Sequence, residues 1–147
     1  MAASAHILSR RQALAELPFI HPDDMPNQYA LKGVGDCMVP VLQDGELMVC
    51  DKRREPVPGD TVALIFTREV ARKWGVSGLV KKLAMALPPW DLAGDACGLI
   101  VVDQLNPPRR YVIPTTDVLA VHMVIGIAES AGDGRATFRP SQAEPRA

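Results

Sequence analysis

Apolar residues recur in short stretches along the middle of the chain, some alternating with polar positions and some nearly continuous, each bounded by glycine, proline or aspartate. Short length and a two-residue period mark strands, not helices. "YALKGV" from Tyr29 runs into a turn at Gly35-Asp36, and "ELMVCD" from Glu46 follows Asp44-Gly45, a dipeptide suited to a tight hairpin turn because both residues tolerate positive φ. "TVALIF" from Thr61 follows the turn Pro58-Gly59-Asp60, and "GLVKKLAMAL" from Gly78 reads as its antiparallel partner. Between these two, "TREVARKWGVS" is too long for a tight turn and predicts a protruding loop with some helix. "GLIVVD", "RRYVIP" and "VLAVHMVIGIA" predict three further strands.

The flanks read differently. Ser9 to Leu17 predicts one short helix, with Ser9 and Gln12 spaced as a capping box and Pro18 closing it. Phe19 to Asn27, with Pro22 and Pro26, predicts an extended linker, and the Ala, Gly, Pro, Arg and Ser composition beyond Glu129 predicts a disordered tail. The expected organisation is an N-terminal arm over 1–28, a mainly β domain of antiparallel strands over 29–128 and the tail over 129–147. A single helix cannot make a helix-turn-helix, so the arm is not expected to bind DNA directly.

Composition narrows the function classes. A chain of 147 residues suits one domain, and 13 prolines with 11 glycines favour many short elements joined by turns. A net charge of -1 supplies no field that would draw the chain to nucleic acid. Three cysteines without a CxxC pair fit neither a disulfide framework nor a zinc site, so no metal or cofactor is expected and the thiols imply the reducing cytoplasm. No signal-peptide core or membrane-spanning stretch is visible, which predicts a soluble protein that is not exported.

The chemistry lies in three segments: "GVGDCMVPVLQDGELMVCD" from Gly33, "PVPGDTVAL" from Pro56 and "LVKKL" from Leu79. In order and residue type they resemble the LexA/UmuD family of self-cleaving peptidases, whose nucleophile sits in Gly-Asp-Ser-Met and whose catalytic lysine follows a valine. The resemblance covers roughly Tyr29 to Ile127. It implies a LexA/UmuD-like β-ribbon fold with a short N-terminal helix, Cys37 in the nucleophile's place and Lys81, after Val80, in the lysine's. Asp36 and Met38 flank the nucleophile on a turn whose backbone N–H groups can face a developing oxyanion. Strand alternation puts Lys81 and Lys82 on opposite faces, so one lysine alone can address Cys37. Leu79, Val80 and Leu83 supply an apolar setting for it.

Two departures from the family pattern bear on mechanism. Cysteine stands where serine is usual, and a thiol beside an amine favours a thiolate–ammonium pair in which the lysine enters as an acid. No Ala-Gly or Cys-Gly bond precedes Cys37, whereas Ala93-Gly94, Cys97-Gly98 and Ala131-Gly132 follow it. The segment ahead of Cys37 is also too short for a repressor's DNA-binding domain, so by length the chain resembles UmuD or a repressor's C-terminal half.

Two functions follow from the resemblance. One is a Cys/Lys-dyad peptidase acting in SOS-type or phage-type regulation by cleaving itself or another chain, with a RecA filament as activator. The other is a catalytically silent dimerisation module that modulates a repressor or a polymerase subunit. A homodimer is expected in both, because "VLAVHMVIGIA" is too apolar for a strand with one wet face. The simpler readings are a packing residue for Cys37 and a solvated strand lysine for Lys81. Cys50 and Cys97 read as packing residues, His122 as a core or interface histidine, and His6 and His21 as arm residues without partners. Asp36, Asp44 and Asp60 read as turn formers, and "DKRRE" from Asp51 as a solvated turn.

Overall fold

The computed structural model describes residues 21–89, 98–130 and 136–140. Eight strands form one sheet: β1 (Gln28–Lys32), β2 (Leu47–Asp51), β3 (Thr61–Phe66), β4 (Gly78–Leu83), β5 (Leu99–Leu105), β6 (Pro108–Pro114), β7 (Val118–Ser130) and β8 (Ala136–Pro140). The order across the sheet is β1-β2-β7-β3-β4-β5-β6, with β8 also on β7, and every pairing is antiparallel. The protein is therefore mainly β, as the periodicity predicts. No helix among the described residues is long and apolar enough to cross a membrane.

β3 lies between β7 and β4, and all six of its residues are buried. A strand with both faces covered loses the polar alternation of a half-wet one, which is why "TVALIF" is continuous. Val62, Leu64 and Phe66 join Leu83, Ile100, Val102, Val118 and Val121 in one hydrophobic cluster. Ala63 faces the second, with Met38, Leu42, Met48, Cys50, Val124 and Ile127. The protruding segment between β3 and β4 is a short helix, α1 (Arg68–Trp74). Thr67 caps its start by accepting from the Val70 N–H, and Gly75 ends it in the left-handed conformation at φ 80°. α1 buries Ala71 against the first cluster.

Several sequence expectations change. Gly45 does turn with φ 85°, yet no two-residue hairpin joins β1 to β2. The connection is the whole excursion over 33–46, closed at its base by Gly33 N–H to Glu46 O at 2.9 Å and Gly45 N–H to Gly33 O at 2.9 Å. The strand expected over "GLVKKLAMAL" ends at Leu83. Pro22–Asp24 forms a 3-10 turn with Pro22 buried, where an extended linker was expected. Lys52 holds that turn, its Nζ donating to the carbonyls of Pro22 at 3.3 Å and Met25 at 2.6 Å. Nor is "DKRRE" merely solvated. Asp51 is buried and accepts from the Arg53 side chain, the Arg53 backbone and Gln28, hydrogen bonds that hold its carboxyl well below the usual range.

Ala136–Pro140 pairs with Gly126–Ser130, so this part of the expected disordered tail is a strand. β2 takes one edge of β7 and β3 the other, but β3 reaches only as far as Met123. β8 supplies hydrogen-bond partners to the edge beyond it, where open backbone groups would otherwise stand. This central place also accounts for the apolar text of β7 within a single chain, without a second copy. The helix expected over Ser9 to Leu17 lies outside the described residues, as does Cys97.

His122, on β7, is a buried core histidine. The Tyr29 hydroxyl hydrogen-bonds its Nδ1, and the rings meet edge to face with centroids 5.6 Å apart and planes at 69°. Burial is the first cause that raises the Tyr29 pKa, with Cys50 adding to it, so the phenol stays protonated and donates. Burial, and then the positive charge of Lys52, lowers the His122 pKa and keeps the ring neutral.

Two outcomes are expected. A Cβ on Gly78 would overlap the Leu64 carbonyl oxygen, so Gly78→Ala should cost about 1–3 kcal/mol through forced separation of β3 and β4, measured by urea unfolding. The second concerns acid. A histidine whose folded pKa is depressed binds its proton more readily when unfolded, so stability falls as pH drops below the ordinary 6.5. Asp51 acts in the same direction lower down, its contribution being complete above the ordinary 3.8 and lost as pH falls further. Thermal melts from pH 7.5 to 5 should show a decline that is shallower in His122→Gln.

Candidate active site

The excursion over 33–46 is held from inside and outside. Met38 and Leu42 are buried in the second cluster, and the Leu42 N–H donates to Met38 O at 3.0 Å. Gly35 sits at φ 89°, a conformation that favours glycine, and its N–H donates to Asp44 Oδ1 at 2.8 Å. Asp44 is thus a turn former through its side chain. Asp36 contributes through its backbone, its carbonyl accepting from the Val39 N–H at 3.1 Å, while its side chain is exposed. Between Gly35 and Met38 the chain presents Cys37, half-buried against the second cluster.

Lys81 reaches Cys37 from across the sheet. Alternation along β4 puts Leu79, Lys81 and Leu83 on the face of the first cluster and Val80 on the face of the second. β4 pairs with β5 only through Lys82↔Asp103 and Leu83↔Val102, so the two strands part at Lys81. Through that opening Lys81 Nζ donates to Cys37 Sγ at 3.3 Å and to the Val80 carbonyl at 3.2 Å, and it lies 5.9 Å from the centre of the Tyr111 ring. Lys81 is only 3% exposed. Lys82, one residue on, lies on the opposite face at the surface of the sheet.

The tip of the β5–β6 hairpin completes the site. The N–H groups of Leu105 and Asn106 donate to Cys37 O at 3.1 and 2.8 Å, and Asn106 Nδ2 donates to Asp36 O at 3.2 Å. With its carbonyl fixed by two donors, the Cys37 turn cannot drift from Lys81. Among the described residues, no backbone hydrogen bond is donated by the N–H groups of Cys37 and Met38. Asn106-Pro107 marks a turn in the sequence, but nothing in its pattern says that the turn docks on Cys37. Tyr111 had no signal beyond strand alternation.

The structure therefore brings Cys37, Lys81 and the turn residues Asp36 and Met38 together. Cys50 lies apart, fully buried, and burial pushes its thiol up to about 12. Near the tip of the β5–β6 hairpin, a cleft of about 490 Å³ is lined by Lys82, Asp103 to Leu105 and Pro108 to Arg110. Arg110 grips Asp103 there with two hydrogen bonds of 2.8 and 3.1 Å, and these hold the Asp103 carboxyl below its ordinary value.

An amine buried against a half-exposed sulfur on a tight turn is an arrangement suited to acyl transfer. Comparison with known families agrees at the level of kinship. Residues 2–77, just over half of the chain, match the family model described as Peptidase S24-like; the match includes Cys37 and ends before Lys81. No curated protein and no solved structure matches the chain. By that match, and by the antiparallel β fold around the Cys37 turn, the chain belongs to the Peptidase S24-like family.

Proposed function

We propose that the protein is a peptidase in which Cys37 is the nucleophile and Lys81 manages the proton. The single observation that carries this reading is the 3.3 Å contact between a buried lysine amine and the Cys37 sulfur. In the thiolate–ammonium form, Cys37 Sγ adds to the carbonyl carbon of a peptide bond. The resulting oxyanion is met by the Cys37 and Met38 N–H groups. Lys81 passes its proton to the amide nitrogen as the carbon–nitrogen bond breaks, which leaves a thioester and a neutral amine. That amine then takes a proton from water as the water attacks the thioester. The acid is released, and the thiolate–ammonium pair returns.

We extend this reading, on the strength of the resemblance, to SOS-type or phage-type regulation by cleavage of this chain or of another, with a RecA filament, a repressor or a polymerase subunit as partner and a homodimer as the working form. A second reading has one observation in its favour. No Ala-Gly or Cys-Gly bond precedes Cys37, which suits a silent module acting through binding alone.

The two readings separate on reactivity and on mass. Lys81→Met keeps the buried stem and removes the amine. Iodoacetamide at pH 7 should modify Cys37 faster than Cys50, and Lys81→Met should slow Cys37 by about tenfold as the cation beside the thiolate is lost. Intact mass followed over time, with and without an activated RecA filament, should show fragments of the native chain and none of the variant. Alkylation of Cys37 that is indifferent to Lys81→Met would remove the dyad.

A further inference from the structure

Cysteine at the nucleophile's place admits a reaction that serine does not, because sulfur can give electrons to a hydroperoxide and a hydroxyl oxygen cannot. Thiolate character and access decide which thiols react in this way. Cys37 is half-buried on its turn, and the Lys81 amine stands 3.3 Å from its sulfur, where a positive charge favours the thiolate. Cys50 is the contrast within the same cluster. It is fully buried, and burial pushes its thiol up to about 12.

Lys81 is also placed to hold the product. An ammonium has three N–H donors. Lys81 directs one at Cys37 Sγ and one at the Val80 carbonyl, 3.2 Å away. Among the described residues the third meets no acceptor atom, only the Tyr111 ring with its centre 5.9 Å off. This spare donor belongs to a side chain 3% exposed and aimed at the sulfur, so an oxygen bonded to Cys37 Sγ comes within its reach. We infer that Cys37 is a site of reversible oxidation, where a hydroperoxide converts the thiolate to a sulfenate that Lys81 holds in place. The Cys37 sulfur attacks one peroxide oxygen, and its electron pair forms the sulfur–oxygen bond as the oxygen–oxygen bond breaks. The other oxygen leaves with a proton from Lys81, as water or an alcohol. The sulfenic acid then returns its own proton to the amine, which restores the ammonium beside a sulfenate. The oxidised sulfur no longer attacks a carbonyl carbon, so peptide cleavage stops until two equivalents of an outside thiol regenerate Cys37, with release of water and a disulfide. Cys50, buried and protonated, does not serve as the resolving thiol. The inference rests on the thiolate–ammonium pair of the peptidase reading, but not on peptide cleavage itself.

The test uses the whole chain, reduced and then freed of reductant. Hydrogen peroxide is added with dimedone, which traps sulfenic acids, and the cysteine peptides are read by mass. Label should gather on the Cys37 peptide about tenfold or more faster than on the Cys50 peptide. Dithiothreitol given before dimedone should return Cys37 to a thiol that iodoacetamide modifies in full. Lys81→Met should slow the labelling by about tenfold and let the oxidised sulfur pass on to sulfinic acid, which dithiothreitol does not reverse. The comparison of Cys37 with Cys50 is made within the native chain, so it decides the matter even if the variant folds poorly. Labelling of Cys37 no faster than of Cys50, or labelling indifferent to Lys81→Met, would overturn the inference. So would passage of the native Cys37 straight to sulfinic acid, or its capture in a disulfide with another cysteine of the chain. Failure of the peptidase reading looks different: no fragments form under any condition, while Cys37 still takes up dimedone and is restored by dithiothreitol.

Discussion

The structure turns on the placing of one amine inside the sheet. Lys81 is 3% exposed, and a buried ammonium or amine is costly unless polar atoms replace the water it has lost. Here those atoms are the Cys37 sulfur and the Val80 carbonyl, with the face of Tyr111 near by. They can meet only because the β4–β5 ladder stops after two residue pairs. Had β5 continued alongside β4, its backbone would fill the opening through which Lys81 passes from the first cluster to the second. The freed end of the β5–β6 hairpin does not hang loose. Its Leu105 and Asn106 N–H groups find the Cys37 carbonyl, so the same break that admits the lysine also clamps the sulfur's backbone.

That dependence explains what could be read from the sequence and what could not. The strands were legible because burial writes itself into the text: both faces of β3 are covered and "TVALIF" is continuous, whereas β1 alternates and has one exposed face. The protruding helix was legible because Thr67 and Gly75 are good caps on either side of a run of helix formers. Cys37 and Lys81 stood out through a pattern of segments in a familiar order, and the geometry then had to show whether they meet.

Other features carry no local mark. The excursion over 33–46 depends on Gly33 and Gly45 pairing at its base, while the local pattern at Asp44-Gly45 favoured a short hairpin. Asp51 and Lys52 sit in a run of charges that looks solvated, and become fixed only when Gln28 and the Pro22 turn arrive from elsewhere in the chain. β8 is invisible to composition because its pairing comes from the unfilled edge of β7. The apolar length of β7 invites a dimer when read alone. In the sheet, its neighbours on both edges and the clusters on both faces account for it.

The fold treats Cys37 and Lys81 unequally, and the chemistry proposed for them would need it to. A sulfur that attacks a peptide must be reachable, and Cys37 is half-buried on a turn whose apolar anchors, Met38 and Leu42, lie behind it. In the proposed mechanism, an amine shuttling one proton would gain from exclusion of bulk solvent, because competing waters would level its interaction with the sulfur. Lys81 meets that need from the far side of the sheet. A larger, softer sulfur in place of a hydroxyl oxygen keeps contact with the amine at 3.3 Å without drawing the turn inward. Replacing serine by cysteine therefore need not dismantle the site, since the turn is positioned by its carbonyl and its buried neighbours and not by the nucleophilic atom itself.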